Sequence, residues 1–149
     1  MRTAVIDDTI EDARRIKDAL ERFSREEKIE ITVSMFDNAE QFLEEYGKVN
    51  PELVIMDIDM PGINGMEAAH RMRAADENVA LIFVTNMKHY ALEGYSVDAL
   101  DYLIKPVMYE DFVLRLQKAR KYIMRNRDER IPLKVAGGVV TPYVSDIYY

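Results

Sequence analysis

Leu53-Val54-Ile55-Met56-Asp57-Ile58-Asp59-Met60-Pro61-Gly62-Ile63-Asn64-Gly65 runs four apolar residues into a carboxylate and then into a turn built on Pro and Gly. An unbroken apolar run of this length suits a strand covered on both faces, as in a parallel sheet. Asn50-Pro51 breaks the chain just before it, so the strand is expected to be short and central. The same pattern recurs elsewhere: Ala4-Val5-Ile6 ends at Asp7 and Asp8, Ala80-Leu81-Ile82-Phe83-Val84 at Thr85, and Tyr102-Leu103-Ile104 at Lys105.

The intervening segments have the helical period. Ile10, Ala13, Ile16, Leu20 and Phe23 mark a first amphipathic helix, and Phe112, Leu116, Ala119 and Ile123 a last one, which Pro132 must end if nothing earlier does. Asn38 is placed to cap a helix over residues 39–46, and the turn with Gly62 and Gly65 opens another reaching residue 75. A short helix is expected over residues 89–95, the least secure because Gly94 weakens it. Ile29, Ile31, Val33 and Met35 alternate with polar neighbours, as in an edge strand with one wetter face. Five strands alternating with five helices predict an α/β fold with a doubly wound parallel sheet, ordered 2-1-3-4-5.

Parallel strands end side by side, so Asp7, Asp8, Asp57, Thr85 and Lys105 are expected to meet at the carboxyl edge of the sheet. Three carboxylates, a hydroxyl and an ammonium make a pocket for Mg2+ and a phosphoryl group, because hard cations take oxygen ligands and Lys answers phosphate charge. Asp8, Asp57 and the backbone carbonyl of Asp59 could ligate the metal beside Asp7, and Mn2+ is a possible substitute. Asp7, Asp8, Asp57 and Lys105 together carry −2, which one divalent ion neutralises. Asp57, ending the most buried strand, is the expected nucleophile, forming an acyl phosphate. Metal, Lys105 and Thr85 would then meet the oxygens on which transition-state charge is spread.

At 149 residues, with 48% hydrophobic and 32% charged, the chain has the size and composition of a soluble domain of about 120 residues plus a short appendage. Absence of Cys excludes disulfides and thiolate metal sites and suits a cytoplasmic location. No apolar run approaches the ~20 residues of a membrane span, and the start reaches acid too soon for a signal peptide. A net charge of −7 argues against nucleic-acid binding by the chain as a whole. Residues 115–130 carry +5 and the remainder −12, which reads first as a solvated helix face and second as a partner surface. Beyond them, Leu133-Lys134-Val135-Ala136 and Val139-Val140-Thr141 flank Gly137-Gly138, a hairpin signal. An isolated hairpin is marginal in water, so the chain is expected to stop inside a second domain.

These residues resemble the receiver domain of two-component response regulators over residues 2–125. The family's acidic pair falls on Asp7 and Asp8, its phosphoacceptor on Asp57, its switch hydroxyl on Thr85 and its Lys on Lys105 before Pro106. The resemblance implies a flavodoxin-like receiver fold and a cis peptide between Lys105 and Pro106. It also implies phosphoryl transfer from a sensor histidine kinase and slow self-hydrolysis, so a signalling switch and not a classical enzyme. Tyr102, three residues before the Lys, matches the switch aromatic that turns inward as Thr85 is drawn to the phosphoryl group. Asn86 departs from the family, where a small residue commonly follows the switch hydroxyl. Tyr90-Ala91-Leu92, Ala99-Leu100-Asp101-Tyr102 and Ser145-Asp146-Ile147-Tyr148-Tyr149 are similar to response regulators of the LytTR type. This implies that residues 126–149 are a linker and the start of a mostly absent DNA-binding domain that regulates transcription, with homodimerisation on phosphorylation, DNA contact only through that missing domain, and no membrane partner.

Two other readings compete. A phosphatase of the haloacid dehalogenase type also uses Asp-X-Asp, as in Asp57-Ile58-Asp59, but on a first strand, and it leaves Asp7-Asp8 unexplained. A pseudo-receiver interaction module would need a defective pocket, and no required residue is missing. His70 and His89 lack a second His or Cys at ligand spacing and are expected on the surface.

Overall fold

The computed structural model describes residues 1–130; the hairpin expected over residues 133–141 lies outside them. The elements are β1 (Arg2–Ile6), α1 (Ile10–Glu27), β2 (Thr32–Phe36), α2 (Ala39–Val49), β3 (Leu53–Met56), α3 (Gly65–Ala75), β4 (Ala80–Thr85), two 3-10 segments (Lys88–Tyr90 and Leu92–Val97), β5 (Asp101–Ile104) and α4 (Tyr109–Arg130). All five strands are parallel in the expected order, β2-β1-β3-β4-β5.

Alternation along each strand divides the core into two layers. Ala4, Ile6, Val54, Met56, Leu81 and Phe83 face α2 and α3, where Phe42, Met66 and Met72 meet them. Val5, Leu53, Ile55, Ile82 and Val84 face α1 and α4, against Leu20, Phe23, Phe112 and Leu116. Every residue of β3 and β4 is buried, as their uninterrupted apolar character requires. The expected α1 stripe is buried from Ala13 onward, but Ile10 is exposed because the helix begins beyond the sheet edge. On edge strand β2, Met35 is exposed and Phe36 is the buried residue.

Caps fall where short polar residues precede apolar runs. The Asn38 side chain accepts from the Gln41 N–H and the Asn64 side chain from the Glu67 N–H. The helix expected over residues 89–95 is instead the pair of 3-10 segments, since Gly94 costs an α-helix its propensity and tighter turns are used in short pieces. The second segment is tied down by Arg73 of α3, whose guanidinium donates to the carbonyls of Asp76, Val79, Val97 and Asp98.

The sheet also sets where the loops start. Ile6 is in register with both Phe36 and Met56, and Thr85 with Ile104. The ladder continues one step further, with Asp7 N–H on the Phe36 carbonyl, Asp57 N–H on that of Ile6, and Lys105 N–H on that of Thr85. The two glycines of the β3–α3 turn serve different needs: Gly62 has φ +77°, and a Cβ on Gly65 would lie 2.2 Å from the Asp57 carbonyl oxygen. Gly65→Ala is therefore expected to destabilise the fold by about 3 kcal/mol, because the clash is with backbone. Gly47→Ala in α2, where a Cβ meets nothing within 4 Å, should stabilise it by about 0.5–1 kcal/mol. Urea denaturation of both variants checks the pair.

Candidate functional site

Four loops leaving the carboxyl edge deliver the site. Asp7 and Asp57 directly follow β1 and β3, so the pairing that aligns those strands places both carboxyls side by side, and both residues are buried. Asp8, next in the chain, is exposed and reaches in from the rim. Asp7, Asp8 and Asp57 each offer an oxygen within 4.8 Å of the others, a set of hard donors that fits a divalent cation such as Mg2+.

Lys105, following β5, closes the cluster from the opposite side. Its Nζ donates to Asp7 Oδ2 at 2.9 Å, Asp57 Oδ2 at 2.8 Å and Asp12 Oδ2 at 2.8 Å. The Lys105–Pro106 peptide is cis. The remaining oxygens next to the chain are also engaged: Thr9 N–H donates to Asp7 Oδ1 at 2.9 Å and Asp59 N–H to Asp57 Oδ1 at 3.1 Å. Asp59 thus joins the site through its backbone while its side chain is exposed. Asp57 is consequently oriented at both carboxylate oxygens.

Thr85 is fully buried at the end of β4, and its Oγ1 accepts from Met87 N–H at 3.3 Å. Tyr102, half-buried on β5, donates its hydroxyl to the Met87 carbonyl, and its ring packs on Phe83 with centroids 5.8 Å apart. Met87 is therefore held from one side by Thr85 and from the other by Tyr102. Burial raises the Tyr102 phenol above its ordinary pKa, so it stays a donor near neutral pH. Asn86 is exposed, and His70 and His89 lie on the surface, away from the cluster.

Burial works against the Lys105 ammonium, but the hydrogen bonds it donates to Asp12, Asp57 and Asp7 outweigh it and hold the group above its ordinary pKa. Burial likewise pushes the Asp7 carboxyl up, more than Lys105 and the Thr9 amide pull it down. Asp12 was not foreseen as part of the site. It occupies an ordinary polar position in the first turn of α1, and only the approach of that helix to β5 brings it to Lys105.

Residues 5–117 match the model of the response regulator receiver domain. The chain is 34% identical over 113 residues to the sensory transduction protein LytT of Oceanobacillus iheyensis, covering 74% of this chain and 46% of that protein. It is 35% identical over 121 residues to LytT of Bacillus anthracis, covering 81% and 48%. The chain thus spans about half the length of these curated relatives. Its backbone matches the response regulatory domain of protein mrkE from Klebsiella pneumoniae with a TM-score of 0.75 at 21% identity, covering 84% of this chain and 99% of that one.

Because the folded state raises the Asp7 pKa, the protonated form contributes stability below the ordinary carboxyl range, and that contribution is lost as pH rises through the raised value. Without divalent metal at pH 7, Asp7→Asn should therefore be more stable than wild type. The difference should vanish on acidification and shrink when Mg2+ is added, as read from urea midpoints across pH in EDTA and in Mg2+.

Proposed function

This chain belongs to the response regulator receiver domain family, and from that premise we propose that it is the phosphorylation switch of a LytT-like regulator, accepting a phosphoryl group on Asp57 from a sensor histidine kinase. The observation that carries the reading is the Lys105 ammonium shared by Asp57 and Asp7, with Asp8 within carboxylate reach.

In the proposed transfer, an Asp57 carboxylate oxygen attacks phosphorus while the bond from phosphorus to the donor imidazole nitrogen breaks. The electron pair stays on that nitrogen, and Asp57 becomes an acyl phosphate. Lys105 supplies positive charge on one side of the transferring group and the Thr85 hydroxyl a donor on another. Asp7, Asp8 and Asp57, with the Asp59 carbonyl, would hold Mg2+, which when bound would supply charge neutralisation for the phosphoryl oxygens. The Asp59 N–H keeps Asp57 oriented throughout.

Propagation starts at Met87. Thr85 turning toward the phosphoryl group gives up the Met87 N–H, which loosens the residue that also accepts the Tyr102 hydroxyl. Tyr102 then rotates inward, and the face formed by the second 3-10 segment, β5 and α4 changes shape. We propose homodimerisation through this change, with transcription regulated by a DNA-binding domain of the LytTR type of which residues 126–149 are the linker and the start.

Acetyl phosphate with Mg2+ should add one phosphoryl group to the chain by intact mass, transiently, and Asp57→Ala should remain unmodified. Light scattering should report a larger particle in the modified sample. Steady multiple-turnover hydrolysis of p-nitrophenyl phosphate, without stoichiometric labelling, would establish a dehalogenase-type phosphatase instead.

A further inference from the structure

An ammonium has three N–H donors, and those of Lys105 face three carboxylates: Asp7, Asp57 and Asp12. Asp7 and Asp57 belong to the oxygen cluster suited to a cation; Asp12 does not. It is also the most solvated of the three, its side chain 26% exposed against 1% for Asp7 and 5% for Asp57. A groove of about 440 Å³ bordered by Asp12, Arg15, Asn86 and Lys105 opens on this side, so a displaced Asp12 carboxylate has water to face. Counting Asp12 brings the charge of the cluster with Asp7, Asp8, Asp57 and Lys105 to −3, which one divalent ion leaves negative.

We propose that Asp12 is a charge-selective positioning residue: it occupies the Lys105 donor that a phosphoryl oxygen needs, so an incoming anionic donor must displace it. The assignment rests on the reading of Asp57 as phosphoacceptor. Desolvation ranks the partners in the same order as geometry, since releasing Asp12 to water costs least while releasing Asp7 strands a buried charge. The residual negative charge adds a repulsion that grows with the charge of the donor. Asp12 therefore slows phosphorylation by small, highly charged donors and leaves the site to a partner that can shift it.

The test compares wild type, Asp12→Asn and Asp12→Glu with Mg2+ and two small donors, acetyl phosphate and the less negatively charged phosphoramidate, following labelling by intact mass and checking folding by thermal midpoint. Asp12→Asn should label roughly fivefold faster with acetyl phosphate, with a clearly smaller gain for phosphoramidate. Asp12→Glu, which keeps the charge, should stay near wild type with both. Labelled wild type with an unchanged or slower Asp12→Asn, or an equal change for both donors, overturns the role of Asp12 alone. A wild-type chain that takes up no phosphate overturns the phosphoacceptor reading and this assignment with it.

Discussion

One ammonium neutralising carboxylates at the ends of parallel strands is the constraint on which the rest of the molecule depends. Asp7 and Asp57 are buried, and either alone would be expensive to leave ionised without a partner. Lys105 faces both at once and is itself raised in pKa by its bonds to Asp12, Asp57 and Asp7. This works only in the observed register. A one-residue slip of β3 against β1 would turn Asp57 to the other face of the sheet and send the apolar side chains of β3 with it.

The same economy explains the loops. Asp57 is held at one oxygen by Lys105 and at the other by the Asp59 amide, and Gly65 lets α3 begin directly against the Asp57 backbone. The Asp57 carboxyl is therefore positioned by the strand end and its turn, with little rotamer freedom left. On the opposite side, Thr85 and Tyr102 share Met87, which links the strand edge to a segment whose Leu92 and Tyr95 are exposed. The segment after β4 is built from short 3-10 turns, which are cheaper to rearrange than a long α-helix, while Arg73 anchors its far end through the carbonyls of Val97 and Asp98.

Most of the architecture was readable from residue order, because β1, β3 and β4 are buried on both faces and each ends at a polar residue. Strand order and the meeting of Asp7, Asp8, Asp57 and Lys105 follow from the strand ends taken with the alternation of strands and helices and right-handed crossovers. Features that depend on tertiary approach were not readable. Asp12 looks like any solvated position of an amphipathic helix until the first turn of α1 meets the loop after β5. The Arg73 clamp joins residues from α3, the following loop and the end of the 3-10 segment, with no local pattern to announce it. Ile10 and Met35 fit the apolar periods of α1 and β2, yet both lie exposed, because a helix start and an edge strand lack a neighbour to cover them.

The central claim is that carboxylates from two strand ends and their loop share one cation opposite Lys105. A crystal grown in Mn2+ and measured at the manganese absorption edge addresses it directly. The account predicts a single strong anomalous peak about 2.1 Å from carboxyl oxygens of Asp8 and Asp57, with Lys105 Nζ on the far side of Asp57. Manganese bound elsewhere, or Asp7, Asp8 and Asp57 with their carboxyls turned apart, contradicts it.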